Sequence, residues 1–312
     1  MATADFAVGF LEDLVREGYN VACVVTTPDK PAGRGRKLTP SPIKTKAQEL
    51  GLSILQPERL SESSFIEQLN EIHPYIGIVI AFRMLPESVW DLPELGTYNI
   101  HGSLLPRWRG AAPINHALIA GDKKTGVTLF KLRQELDAGD IVGIEEVSIN
   151  SDDTFGELHD KLALIGRRLL MGKLPDLLDR NTTTTQQILQ TEEPYASKLT
   201  RENTQIDWNQ PAEVIHNFVR GLSPHPTAWS TLISNKSDKK IYKILKSVPS
   251  TNKVPPTVRP GRIFIDGKKQ MSIACKDGEL LQILKIQAPG KKPLEIKDFL
   301  NGTVFSDEEY FL

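Results

Sequence analysis

Asn99-Ile-His101 contains the two side chains of this sequence best suited to act together on a carbonyl group. In an extended strand alternate residues share a face, so Asn99 and His101 project to the same side, and Gly102 marks the strand end. A neutral amide N–H and an imidazole N–H aimed at one point are the donors an oxygen needs as it turns negative under nucleophilic attack. The same pattern also serves a hydrogen-bonded pair inside a core. Further on, Leu136-Asp-Ala-Gly-Asp140 sets two carboxylates around a glycine. A carboxylate near an imidazole favours the protonated ring, and it can accept a proton or steer water. Asp137 is the candidate, because Asp140 leads into the next strand. Read alone, the segment is a tight turn.

A second signal is cationic. From Lys30 to Lys46 there are six basic residues and no acidic one, interleaved with Gly and Pro. Arg34, Arg36 and Lys37 lie at its centre, where guanidinium forks and an ammonium suit phosphate; a solvated loop is the plainer reading. The spacing is not that of a phosphate-binding loop, and no Gly-x-Gly-x-x-Gly precedes a helix, so neither a nucleoside triphosphate nor a dinucleotide is implied. Pro106-Arg-Trp-Arg-Gly-Ala-Ala-Pro113 could edge a pocket for a flat or anionic ligand, or form a surface turn around Trp108. His73, His116, His159, His216 and His225 have no metal-ligand spacing and read as structural. No serine sits in a nucleophile elbow, and neither Cys23 nor Cys275 has a basic context, so no covalent nucleophile is evident.

These side chains need a frame. Apolar residues at helical spacing from Phe6 to Arg16, around Ile43–Leu50 and over Ser63–Ile72 predict helices. Val21–Thr27, the region of Ile54, Tyr75–Phe82, Gly96–His101, Val127–Leu132 and Ile141–Ile149 predict strands. Asp153 or Thr154 can cap a long helix running to about Leu178. Strands alternating with helices imply an α/β domain with a doubly wound, mostly parallel sheet, whose strand ends line a ligand crevice. After a short helix over Pro211–Arg220, β-rich runs at Trp229–Ile233, Lys240–Val248, Gly261–Ile265, Met271–Ala274 and Leu280–Ile286 predict a small antiparallel barrel. The expected division is 1–180 for the α/β domain, 181–205 for a Thr- and Gln-rich linker and 206–312 for the barrel.

Composition excludes other classes. The 312 residues are 25% charged and 39% hydrophobic with net charge −1, ordinary for a globular chain and wrong for collagen or wholesale disorder. Charge is uneven: residues 206–312 carry a net +5 against −6 for the remainder. That split suits a polyanion held by the barrel, and equally a solvated surface. No apolar run is long enough for a bilayer, and the acidic first turns do not suit a signal or transit peptide. Two cysteines allow no disulfide framework and fit a reduced, cytoplasmic compartment.

Asn99-Ile-His-Gly-Ser-Leu-Leu-Pro-Arg-Trp-Arg-Gly-Ala-Ala-Pro-Ile114 together with Leu136-Asp-Ala-Gly-Asp140 resembles the folate-dependent formyltransferases. Pro28-Asp-Lys-Pro-Ala-Gly-Arg-Gly-Arg-Lys37 and Tyr195-Ala-Ser-Lys-Leu-Thr200 are similar to the branch acting on charged initiator tRNA. The resemblance covers nearly the whole chain. It implies transfer of a formyl group from 10-formyltetrahydrofolate to the α-amine of methionine on initiator tRNA, without metal or covalent enzyme intermediate. It implies Asn99, His101 and Asp137 as the catalytic trio and Ser103, Leu104, Leu105 and Pro106 as the folate-contacting segment. Arg34, Arg36 and Lys37 are implied at the tRNA, and the second domain as an OB-like barrel of a monomer with no membrane partner. The implied chemistry is modest in its demands: an α-amine of pKa about 7.7–8.0 is partly neutral at pH 7, so stabilising the oxyanion is the harder task. Two alternatives are a non-catalytic tRNA- or folate-binding relative, and a formyltransferase for a sugar nucleotide or other small amine. One departure stands out. Family members open with a strand leading into Met-Gly-Thr-Pro-x-Phe-Ala, whereas this chain opens Met1-Ala-Thr-Ala-Asp-Phe-Ala7, so the first strand is expected to be missing. An upstream start or a diverged copy would account for it.

Overall fold

The computed structural model describes residues 1–32, 37–188, 192–234, 239–267, 269–306 and 308–312. The chain divides into two compact units. One comprises Met1–Pro113, Lys124–Val147 and His159–Tyr195, the other Ile114–Lys123, Ser148–Leu158 and Ala196–Leu312.

The first unit opens on helix α1 (Val8–Arg16), which buries Phe10, Leu11 and Asp13. Gly18 ends it in the left-handed region, where the Tyr19 N–H reaches back to the Leu14 carbonyl. Helix α2 (Pro42–Glu49) is capped by the Ser41 hydroxyl and has Pro at its first turn. Strand β1 (Val24–Val25) pairs in parallel with β2 (Ile54–Leu55), and helix α3 (Ser63–Ile72) follows. Strands β3 (Gly77–Ile80), β4 (Thr97–His101), β5 (Lys124–Lys131) and β6 (Ile141–Ser148) lie in that order in one sheet. β3 and β4 run parallel, and β5 is antiparallel to β4. Helix α4 (Phe155–Leu178) starts with the Thr154–Glu157 capping box, which holds the Glu157 carboxyl below its usual range. Asp13 is 4% exposed and takes a two-pronged bond from Arg167 at 2.6 and 2.7 Å, fastening α1 to α4.

The first two residues pair as a strand would. Met1 and Ala2 sit between β1 and β3: the amino group donates to the Ile78 carbonyl at 2.7 Å, and the Ala2 N–H to Val25 at 3.0 Å. Ala2 also pairs in parallel with Ile80. Beyond this stub lies an apolar slot of about 450 Å³, lined among others by Leu14, Val21, Cys23, Leu69, Ile76 and Ile78. The strand expected over Val21–Thr27 accordingly shortens to Val24–Val25, since strand geometry persists only where a neighbour supplies hydrogen bonds. The basic stretch also differs from a plain loop. Lys30–Ala32 and Lys37–Thr39 form an antiparallel hairpin.

In the second unit, helix α5 (Ala212–Gly221) packs on an antiparallel sheet of strands β7 (Ala228–Ile233), β8 (Lys239–Lys253), β9 (Ile263–Asp266), β10 (Gln270–Ala274) and β11 (Glu279–Gln287). A last strand, Tyr310–Phe311, joins β7. The order runs β9-β10-β11-β8-β7 and then Tyr310–Phe311, and Arg262 beside β9 bridges Tyr310, so the sheet's two ends meet. Gly261 makes the closure possible. Its φ is +90°, and a Cβ there would stand 2.0 Å from the Phe311 carbonyl oxygen. Val219, Leu222, Ile244, Met271, Leu281 and Ile283 fill the core.

Candidate active site

β4 runs between β3 and β5, with Asn99 opposite Val79 and Phe130 and His101 opposite Thr128. This strand delivers both polar side chains at its carboxyl end, as period-two alternation requires. The chain then folds back over residues 102–110 as a loop held from within. Buried Thr128 donates its hydroxyl to the Ser103 carbonyl at 2.7 Å and accepts the Leu105 N–H at 3.1 Å, and the Ser103 hydroxyl donates to the Arg107 carbonyl at 2.7 Å. Trp108 adopts φ +60° and is 8% exposed, with Arg107 stacked 4.9 Å over its ring.

That backbone twist aims the Trp108 carbonyl at His101, whose Nε2 lies 2.9 Å away. A carbonyl can only accept, so Nε2 carries the hydrogen, and Nδ1 is the atom left to act. Nδ1 lies 3.9 Å from Asp137 Oδ2, too far for a hydrogen bond and close enough for an ion pair. The same Oδ2 accepts the Gly110 N–H at 2.9 Å. One loop therefore grips both groups, His101 through Trp108 and Asp137 through Gly110, and both side chains are more than nine-tenths buried. Asp137 itself stands at φ +49°. Two residues on, Gly139 passes so near β5 that a Cβ would fall 1.6 Å from the Lys131 carbonyl oxygen, while the Lys131 N–H bonds Asp140. Asn99 is half-buried, and its Oδ1 is enclosed with no hydrogen-bond partner among the described residues. A polar atom left so calls for a partner that the described residues do not supply.

In the segment Ser103–Pro106, Ser103 and Leu105 are enclosed and shape the loop, and Leu104 and Pro106 remain half-buried. Lys37 is exposed at the hairpin, whereas Arg34 and Arg36 lie outside the described residues. The hairpin's base is fixed by Lys44 on Asp29 at 2.8 Å and by Gln56 at 2.9 Å, contacts that hold the Asp29 carboxyl below its usual range. Arg109 pairs with Glu135 at 3.4 Å. Burial pushes the Cys275 thiol up to about 12, which leaves it no nucleophile. No cluster of three or more His, Cys, Asp or Glu suited to a metal occurs among the described residues, and no helix there is long and apolar enough to cross a membrane. Sequence reasoning passed over Thr128 and the carbonyl of Trp108. Neither carries a local signal, because each acts across the fold through a single hydrogen bond.

Comparison with known proteins bears on what this site does. A family model described as formyl transferase matches residues 2–174, and one described as formyl transferase, C-terminal domain, matches residues 198–304. A methionyl-tRNA formyltransferase of Porphyromonas gingivalis is 44% identical over 316 aligned positions, covering 99% of this chain and 96% of that protein. One of Bacteroides fragilis is 44% identical over 307, covering 97% and 93%. Among solved structures, the sugar 3N-formyl transferase WlaRD superposes with a TM-score of 0.64 at 18% identity, covering 93% of this chain and 97% of its own, a likeness of fold.

Proposed function

This chain belongs to the formyl transferase family, and from that premise we infer that it transfers a formyl group from 10-formyltetrahydrofolate to the α-amine of methionyl initiator tRNA. The relatives named for that reaction match it over nearly their whole length, which the structurally similar sugar enzyme does not approach in identity. We propose that Asn99, His101 and Asp137 carry the chemistry. The observation that supports them most is the convergence of His101 and Asp137 on one loop, with Nδ1 facing the carboxylate at 3.9 Å.

The bound folate supplies the formyl carbonyl. Asn99 and His101 then stabilise the charge that develops on its oxygen as the neutral amine adds, Asn99 through its amide N–H and His101 through Nδ1–H. Because Nε2–H is already given to Trp108, Nδ1 donates only when the ring is cationic, and the Asp137 carboxylate stands 3.9 Å from that atom. Asp137 also stands ready to receive the proton the amine releases, directly or through one water. Transfer completes when the bond to the folate nitrogen breaks and that nitrogen takes a proton.

The Ser103–Pro106 segment lies beside this centre, and we assign the folate contact to its peptide groups and to Leu104 and Pro106. The basic stretch that includes Arg34, Arg36 and Lys37 in the sequence is assigned to the acceptor end of the tRNA. We keep 1–180 as the catalytic domain, 181–205 as the linker and 206–312 as the tRNA-holding barrel of a cytoplasmic monomer. The test incubates the chain with charged initiator tRNA and the formyl donor and looks for formyl-methionine after mild hydrolysis. Product that appears with the wild type and fails with Asp137→Asn supports the reading. Normal tRNA binding without product would leave a non-catalytic binder, and formylation of a sugar nucleotide alone would move the chain to another branch.

A further inference from the structure

We infer that Gln187 is a positioning residue for Asp137, an inference that rests on the reading of Asp137 as part of the formyl-transfer site. The segment after α4 has no helical or strand periodicity, yet it is docked. Thr185 exchanges two backbone hydrogen bonds with Ile141, each 2.8 Å. Two residues later Gln187 is only 6% exposed, and its Nε2 donates to the carbonyls of Asp137 at 3.1 Å and Gly139 at 2.7 Å. A side-chain amide has two N–H hydrogens, so one serves each carbonyl. Its Oε1 is enclosed without a partner among the described residues. The amide's orientation is therefore set by the two carbonyls alone, because a flipped oxygen would face both.

The clamp lies where the loop needs it. Asp137 is held at φ +49°, a region that a non-glycine residue keeps only when its surroundings hold it there. Gly139 has no room to absorb a shift against Lys131. Gln187 fixes the carbonyl on each side of the fully buried Ala138, and the Gly110 N–H fixes the carboxylate. With the clamp gone, the backbone at Asp137 relaxes and the carboxylate leaves its place beside Nδ1. The two hydrogen bonds of Gln187 go to Asp137 and Gly139 and not to the segments assigned to folate and tRNA.

The experiment uses Gln187→Met, which keeps length and bulk without donors, and Gln187→Glu, which sets a carboxylate oxygen against both carbonyls. Each is made in the wild-type chain and in the Asp137→Asn chain. Expected for the wild-type background is a ~10- to 100-fold fall in kcat, the scale set by misplacing a reacting group by about an ångström, with both KM values within about twofold. In the Asp137→Asn background neither substitution slows the enzyme further, because the group they misplace is already disabled. An unchanged kcat in both variants overturns the inference. So does a second, equal loss in the Asp137→Asn background, or failure of both variants to fold, since each marks a general structural role. If Asp137→Asn keeps the wild-type rate, the site reading falls first and this inference with it.

Discussion

In the proposed reaction Asn99 serves the reacting oxygen from strand β4, which holds its amide in place before substrate arrives. Donors fixed in this way contribute most, so Asn99→Ala should slow single-turnover formylation by ~10²–10³ while tRNA affinity stays level. A loss confined to KM would instead make Asn99 a binding group. Gly139 makes a different kind of prediction. Its substitution by Ala drives a methyl into the Lys131 carbonyl, so the loop must shift or β5 must bend. Gly139→Ala is expected to lower both kcat and the unfolding midpoint, whereas Gly172→Ala, where a Cβ meets nothing within 4 Å, should change neither. Much of the site is legible in the sequence, because alternation along a strand fixes the faces of Asn99 and His101 without knowledge of their neighbours. The choice of Nδ1 is not legible there. It depends on one carbonyl delivered by Trp108, a residue whose left-handed backbone has no mark in the sequence.

The elements of the sheet show a related division between what pattern reveals and what pairing decides. The runs of the second unit match their strands to within a residue or two at most ends, since all but β9 have strand neighbours on both sides. Val21–Thr27 looks equally strand-like and yields two paired residues, because among the described residues the backbone bond beside it comes from Ala2. The pairing of Lys30–Ala32 with Lys37–Thr39 is hidden for the opposite reason, because Pro31 argues against a strand in the sequence. The stub has an electrostatic signature. The amino group of Met1 lies in the interior, and burial lowers its pKa from 8.0 to about 6. Between those values the unfolded chain binds more protons than the folded one, so stability rises as pH goes from 6 to 8. The full penalty, about 2–3 kcal/mol, applies below pH 6. Denaturant titrations at pH 5.5, 7 and 8.5 should show this step in the chain that starts at Met1. Placing five alternating Val and Ile residues ahead of Met1 turns that nitrogen into an amide and offers a strand to the slot. The extended chain should melt higher and lose the step, and an unchanged melting point would mean that the slot does not accept a strand.

For the molecule as a whole, charge separates the carboxy-terminal region from the remainder, and β8 shows how the fold uses it. Tyr242, Ile244 and Ser247 turn inward, whereas Lys239, Lys240, Lys243, Lys246 and Lys253 stay exposed, and a bulge between Ile244 and Lys246 preserves that outward register. Lys246 stands opposite Lys285 on β11, two like charges in a cross-strand position that ordinarily destabilises a sheet. Glu295 relieves Lys285 at 3.3 Å. A row of phosphates would relieve the rest, and releasing their counterions makes binding depend on salt. If about four to six phosphates are neutralised, tRNA affinity should fall by ~10²–10³ between 50 and 200 mM salt. Lys243→Ala with Lys246→Ala should flatten the log–log slope by about 1.5–2 and leave kcat at saturating tRNA unchanged, because neither lysine belongs to the proposed catalytic group. Filter binding across a salt series measures the slope, and formylation at high tRNA concentration measures kcat. A slope that is flat in the wild type would show that this basic face does not hold the nucleic acid, and the uneven charge would then be a property of the surface alone.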